Sequence, residues 1–235
     1  MKYCWNDKIG YFSDYDFLVI VEKTGLKHYE IENTIEDRGK SRKIPVNIEL
    51  HEIDYVNEGL SFGQYFFNEI IQDGVLLYDT EKFSLVNPRK LSPDEELFIA
   101  KNYFDLWFPR GVGFLKVASY CQSEGDYKIG VFNLHQAAEA FYSTALLTYI
   151  GYKPKSHNLW KLRKRLKTIS EDLFLIFDTE TNEKDKYLFD LLKRGYIDAR
   201  YKSEYNITKD ELGALIKKVE KIQKVVQVIC STKFK

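Results

Sequence analysis

Ser13-Asp14-Tyr15-Asp16-Phe17-Leu18-Val19-Ile20-Val21 is the stretch whose reading sets the fold of the first part of the chain. A short polar lead runs straight into an apolar, β-branched segment, which reads as a buried strand. Asp14 and Asp16 stand at its mouth, and side chains two apart on a strand share a face. Neighbouring carboxylates repel one another, and a divalent cation between them removes the repulsion. Hard oxygen ligands suit Mg²⁺, which takes one or two carboxylates together with phosphate oxygens. The chemistry suggested is metal-assisted phosphoryl or nucleotidyl transfer. The alternative is a pair of turn aspartates where a strand begins, a position Asp commonly fills.

Outward from that strand, Thr24-Gly25 breaks the pattern. Leu26 to Arg38 reads as an exposed helix closed by Gly39, and Lys40-Ser41-Arg42-Lys43 as a basic loop, solvated or placed to steer a phosphate. Pro45 to Ile53 is a second strand: Val46, Ile48 and Leu50 alternate with Asn47, Glu49 and His51, giving one apolar and one polar, solvent-facing side. Ser61 to Asp73 carries Tyr65, Phe66, Phe67, Ile70 and Ile71 at helical spacing and stops at Gly74. Val75-Leu76-Leu77-Tyr78 reads as a short strand. Thr80 to Leu91 lacks periodicity and contains Pro88, as a linker does.

The first strand, with Ser-Asp-Tyr-Asp ahead of Phe-Leu-Val-Ile-Val, resembles the metal-binding strand of minimal nucleotidyltransferases of the polymerase-beta type. The resemblance implies a nucleoside triphosphate substrate, Asp14 and Asp16 as metal ligands and catalytic residues, Ser13 at the nucleotide, and a third carboxylate from the next strand, for which Glu49 is the candidate. The family's Gly-Ser turn is missing: where it is expected the chain reads Tyr3-Cys4-Trp5-Asn6. The domain implied is therefore N-terminally incomplete, with an incomplete active site.

Beyond the linker the signals change to helix throughout. Ser92-Pro93-Asp94-Glu95 is a capping box with Pro at the first helical position. Pro109, Gly111 and Gly113 are expected to kink or interrupt the helix it starts. A long helix follows from about Tyr127 to Ile150, with Gly151 just past its end and Val131, Leu134, Ala138, Phe141, Ala145 and Tyr149 as its apolar stripe. Ser156-His157-Asn158 caps a helix that bears the densest basic cluster of the chain, Lys161, Arg163, Lys164, Arg165 and Lys167. That cluster reads as a solvated face or as an RNA or phosphate surface. Shorter helices follow over Leu173–Phe177 and Asp185–Ala199. Thr208-Lys209-Asp210-Glu211 is a second capping box, opening a helix whose Leu212, Leu215, Val219, Ile222, Val226 and Ile229 repeat like a heptad seam.

Phe132-Asn133-Leu134-His135-Gln136-Ala137-Ala138-Glu139, Gly151-Tyr152-Lys153-Pro154-Lys155-Ser156-His157-Asn158-Leu159 and Tyr196-Ile197-Asp198-Ala199-Arg200-Tyr201 resemble the HEPN domain, a helical nucleotide-binding module. The resemblance covers residues 93–232 and implies dimerisation. Many HEPN domains are metal-independent ribonucleases whose motif is Arg, four to six residues, then His. Arg200 matches the arginine, but Tyr201-Lys202-Ser203-Glu204-Tyr205-Asn206-Ile207 holds no histidine, so the usual acid–base group is absent from its place. The resemblance implies that Arg200, joined by Tyr205 and His135, binds a nucleotide or RNA across a dimer cleft.

Bulk properties agree with a packed, uncharged-on-balance protein. The 235 residues carry 35 Lys and Arg against 35 Asp and Glu, and 44% of them are hydrophobic. That is ample for a core and excludes a globally basic nucleic-acid-binding chain. Cys4, Cys121 and Cys230 have no metal-ligand spacing and read as free thiols of a reducing, cytoplasmic compartment. No apolar run reaches membrane-spanning length.

The fold expected is α+β: a truncated nucleotidyltransferase-like α/β region over residues 1–79, a linker at 80–92, and an all-α HEPN bundle over 93–232. Two functions are open. One is Mg²⁺-dependent nucleotide binding or nucleotidyl transfer by Asp14, Asp16 and Glu49, in a bacterial toxin–antitoxin-like or nucleotide-handling setting. The other is a non-catalytic HEPN homodimer that binds nucleotide or RNA with weak or no cleavage.

Overall fold

The computed structural model describes residues 15–23, 25, 27–42, 44, 46–154 and 156–235. The chain divides into two compact units, Met1–Leu91 and Ser92–Lys235.

In the first unit β1 (Tyr15–Val21) leads through α1 (His28–Ser41) to β2 (Val46–Glu52), and the strands pair in parallel with Asp16 opposite Asn47 and Leu18 opposite Glu49. Parallel strands need a long crossover, which α1 supplies. Ile48 and Leu50 are buried as the alternation requires. The helix over α1 runs on through Gly39 instead of stopping there. A Cβ at Gly39 would stand 2.7 Å from the Ile44 carbonyl oxygen, so this glycine admits the returning chain. β2 passes without a loop into α2 (Ile53–Ser61), a helix the sequence pattern does not announce, and α3 (Tyr65–Asp73) follows. His51, expected at the surface, is buried, with its ring 5.1 Å from Tyr55 and 5.6 Å from Phe67. The two short helices fold back over that end of the polar face.

Val75–Tyr78 is not a strand: it has no regular structure, and Leu76 and Tyr78 are 76% and 81% exposed. A lone extended segment has no ladder to join, because the sheet described contains only β1 and β2. The segment expected as a linker is irregular but tied to α2. Asn57 Oδ1 accepts from Val86 N at 2.9 Å, and Arg89 N donates to Leu60 O at 2.9 Å.

The second unit is a helical bundle of α4 (Pro93–Glu124), α5 (Tyr127–Ile150), α6 (Leu159–Leu166), α7 (Glu171–Leu175), α8 (Glu183–Arg194), α9 (Asp198–Tyr201) and α10 (Lys209–Lys233). Both capping boxes form: Ser92 Oγ accepts from Glu95 N at 3.3 Å, and Thr208 Oγ1 accepts from Glu211 N at 3.2 Å. α4 is unbroken through Pro109, Gly111 and Gly113. Packing outweighs the roughly 3 kcal/mol a mid-helix proline costs. Phe104 stacks on Phe108 at 4.8 Å, and Phe108 meets Phe141 at 5.4 Å. At Gly111 a Cβ would stand 2.5 Å from the Phe141 ring, so this glycine sets the α4–α5 approach.

α5 is the axle of the unit, packed by α4, α6, α8, α9 and α10. It is buried on more than the one stripe the sequence shows, with Ala137, Phe141, Tyr142 and Leu146 all fully enclosed. A helix surrounded by others loses its polar face. The seam of α10 is buried from Leu212 through Val226, with Ile216 alongside, but its expected last member Ile229 is only half-buried and Cys230 takes the buried place. Cys121 and Cys230 are buried free thiols. No helix among the described residues is long and apolar enough to cross a membrane.

The basic cluster of α6 is not one solvated face. Arg163 is 1% exposed: its Nε donates to Phe174 O at 3.0 Å, its Nη2 to Phe177 O, and its guanidinium lies 3.9 Å from the Phe174 ring. Leu159, Leu162, Arg163 and Leu166 fall on the buried side at helical spacing, so the helix period takes the arginine inside.

Candidate functional site

The segments Phe132–Glu139, Ser156–Asn158 and Tyr196–Tyr201 are far apart in sequence and meet around the ring of Tyr196. The Arg200 guanidinium lies 4.8 Å from that ring, 4.7 Å from Phe132 and 4.9 Å from Tyr201. Its Nε donates to Tyr196 O at 2.7 Å, one turn back. No carboxylate among the described residues lies within ion-pair distance of it. Asp198, the obvious acidic neighbour, is taken by Arg194 at 2.8 Å and Lys202 at 2.9 Å. These two cations hold the Asp198 carboxyl below the usual range. Arg200 is thus an exposed cation on an aromatic shelf, oriented through Nε and open at its terminal nitrogens.

Two histidines pack against the same tyrosine, His157 at 4.7 Å and His135 at 5.0 Å, both nearly parallel to it. His135 is 1% exposed, with Nδ1 3.1 Å from Leu192 O and Nε2 3.1 Å from His157 O. Burial is the main influence on it and pushes its pKa below the ordinary histidine value, against the pull of those carbonyls and of Glu139. His157 is exposed and turns Nδ1 to Glu139, 2.9 and 3.0 Å from the two carboxylate oxygens. Glu139 is buried, one helical turn beyond His135 on α5. Lys153, whose pKa burial lowers and Glu139 partly restores, lies 5.1 Å from the Trp107 ring, which Arg110 also covers at 4.9 Å.

Of the residues expected at this site, Arg200 lines it and His135 supports it from below. Tyr205 lies in the core, 1% exposed, with its hydroxyl donating to Leu191 O at 2.9 Å. Leu192 O, the next carbonyl, is the one His135 faces, so both residues brace the end of α8. Phe132, Glu139, His157 and Tyr196 were not singled out by sequence reasoning. The available signal was that the segments with the clearest resemblance each contain one or two of them.

In the first unit Ser13 and Asp14 lie outside the described residues. Asp16 is exposed on β1 and accepts from Asn47 Nδ2 at 2.8 Å. Glu49, two residues along the same face, has an oxygen 3.7 Å from His51 Nε2. Among the described residues no three His, Cys, Asp or Glu side chains gather as metal ligands. Asp16 and Glu49 fit a cation only in company with a further ligand.

A bundle built on one enclosed helix, with an arginine, two histidines and a buried glutamate around a tyrosine at its flank, defines an all-α module with one exposed guanidinium at that flank. The HEPN domain model matches residues 104–229, more than half of the chain, and the chain belongs to the HEPN family. No curated protein matches it.

Proposed function

We propose that the second unit binds RNA, or the phosphate of a nucleotide, on the shelf of Phe132, Tyr196 and Tyr201, with Arg200 as the phosphate anchor. One observation carries this: Arg200 is exposed, held in place by its own helix turn and three rings, and has no carboxylate partner among the described residues. A guanidinium so placed offers a forked donor pair to a phosphate, whereas lysine offers a point charge. Arg200→Lys should weaken binding of a fluorescent single-stranded RNA about tenfold or more, in line with the loss of a charge-assisted hydrogen bond. Its melting curve should match the parent. Unchanged affinity in a folded variant would remove Arg200 from the anchor role.

The assembly in this reading is a homodimer through the helical unit, with a second Arg200 across the cleft. Apolar exposure on α4 supports it: Leu106, Val117 and Tyr120 are 51%, 44% and 65% exposed. Light scattering at tens of micromolar, about the concentration usual for such work, distinguishes dimer from monomer.

A second reading concerns the first unit, as a Mg²⁺–nucleoside triphosphate site at Asp14, Asp16 and Glu49 with Ser13 beside it. What favours it is the parallel pairing that sets Asp16, Asn47 and Glu49 on one face. A bound cation would neutralise phosphate charge during transfer. In this reading the chain is a nucleotide-handling protein of the toxin–antitoxin kind. Mg²⁺ with a nucleoside triphosphate should raise the melting temperature of the parent. The shift should vanish in Asp14→Asn combined with Asp16→Asn, and its survival there would dismiss the site.

A further inference from the structure

A groove of about 720 Å³ runs along the first turns of α10, between the end of α4 and the start of α8. Its lining extends from Lys209 to Lys221, which on a helix is about 18 Å. Ala214, Leu188 and Ile216 give it an apolar floor. Gln122 closes the α4 side: its Nε2 donates to Lys209 O at 3.0 Å and would stand 2.7 Å from a Cβ at Gly213, so glycine lets it lie across α10. Lys218 fixes the α8 side, with Nζ 2.6 and 2.7 Å from the two Asp185 oxygens and donating to Ile176 O at 2.6 Å. That pair cancels one lysine against one carboxylate. Lys184, Lys209, Lys217 and Lys221 also line the groove, all exposed, and none has an ion-pair partner among the described residues. Against them stand only Asp210 and Glu220. The chain as a whole has no net charge, so this excess of cations is local.

We propose that this groove is the docking surface for an acidic amphipathic helix of a partner protein, its apolar side on Ala214, Leu188 and Ile216 and its carboxylates toward the lysines. The proposal stands apart from the RNA reading of the shelf. The lining holds no aromatic ring for a base to stack on and no arginine to fork onto a phosphate. Asp210 and Glu220 would repel a chain of phosphates, whereas a peptide turns uncharged residues toward them. The length of the groove matches about three helical turns. Carboxylates four apart on such a helix meet Lys217 and Lys221, themselves four apart on α10. An exposed lysine–carboxylate pair contributes little by itself. Here the apolar floor supplies burial, and the lysines select the sign of the partner's charge.

The test uses the full chain and the fluorescence anisotropy of a labelled peptide of about twelve residues, with leucine and alanine on one face and glutamate on the other. A twin peptide carries glutamine for every glutamate. The glutamate peptide should bind, and its affinity should fall as salt is raised. The twin should bind about tenfold more weakly or worse. Lys217→Gln combined with Lys221→Gln should weaken binding of the glutamate peptide about fivefold, the effect of two exposed ion pairs. Both lysines are exposed and unpaired, so the melting curve of that variant should match the parent. Arg200→Lys should bind the peptide as the parent does, which separates the groove from the shelf. Four results overturn the proposal: no binding of the glutamate peptide, equal binding of the twin, unchanged binding by the lysine variant, or loss of binding in Arg200→Lys. Tripolyphosphate that displaces the peptide at a lower concentration than unlabelled peptide does would assign the groove to phosphate and overturn it as well.

Discussion

The two units of the chain hold their helices by different means. In the second unit α4, α6, α7, α8 and α10 each begin at Ser, Thr or Asn whose side chain accepts from the first turn. In the first unit α1, α2 and α3 begin at Lys27, Glu52 and Gln64, with no such bond. Capping is a local property, worth about 1 kcal/mol per helix, and it fixes where a helix starts before any packing is made. Helices without caps depend on their neighbours for both existence and position. The difference shows how one unit can be written largely in local signals while the other takes its form from contacts.

The sharpest way to break this comparison lies within α4, at two glycines that look alike in sequence. Gly111 faces Phe141, where a Cβ would stand 2.5 Å from the ring, whereas a Cβ at Gly113 would meet open space. Gly111→Ala should destabilise the second unit by about 1–3 kcal/mol through overpacking. Gly113→Ala should stabilise it by up to about 1 kcal/mol, the helix-propensity difference between the residues. Urea melts of both variants measure the contrast. Equal effects would mean that local propensity, and not the α4–α5 contact, governs this helix.

The next effect is one of pH. His135 has its pKa lowered by burial, so the folded state resists the proton that the unfolded chain accepts near pH 6.5. The unfolded state binds more protons there, and stability therefore rises with pH. The stabilisation is complete above the unfolded value and is lost as pH falls through the lower, folded one. One such proton gives at most about 1.4 kcal/mol per pH unit. Denaturation midpoints measured at a series of pH values from neutral downward should show this slope. His135→Gln should flatten it. An unchanged slope in that variant would assign the pH dependence to other groups, Glu139 and His157 being the titratable neighbours.

How much was legible in the sequence follows the same division. Both capping boxes, the span of α5 and its Gly151 terminus, and the buried seam of α10 could be read directly, because each rests on local chemistry or strict period. α2 was invisible: β2 runs into it at Glu52 with no turn residue and no cap between them. Charge and polarity place His51 and Arg163 at the surface, and only tertiary neighbours put them inside. The Val75–Tyr78 segment has strand composition but no partner strand, and pairing cannot be read from one segment. At the candidate site Arg200 was legible through its motif. The pairing of His157 with Glu139 was not, because it depends on how the segment before α6 returns to α5.

The smallest expected effect tests whether the missing caps of the first unit are a weakness that can be repaired. Lys27 occupies the position before α1 with φ −81° and ψ 102°, the extended backbone a capping residue adopts. Its ammonium makes an exposed ion pair with Glu30 at 3.3 Å, an interaction worth little in water. A cation there also faces the positive end of the helix dipole. Serine at 27 keeps the backbone, removes that repulsion and offers a side-chain oxygen to the N–H groups of the first turn, where Glu30 N now donates only to the Lys27 carbonyl at 3.0 Å; aspartate would instead set a second carboxylate beside Glu30. Lys27→Ser should stabilise the first unit by about 0.5–1 kcal/mol, typical of installing a cap. Hydrogen exchange of the α1 amides, read beside those of α10, checks it: protection should rise in α1 alone. Thr208→Ala should do the reverse, lowering protection in α10 by about 1 kcal/mol. If Lys27→Ser leaves α1 exchange unchanged, its N-terminus is fixed by the β1–α1–β2 crossover and not by capping, and the contrast between the units lies in what determines each helix start.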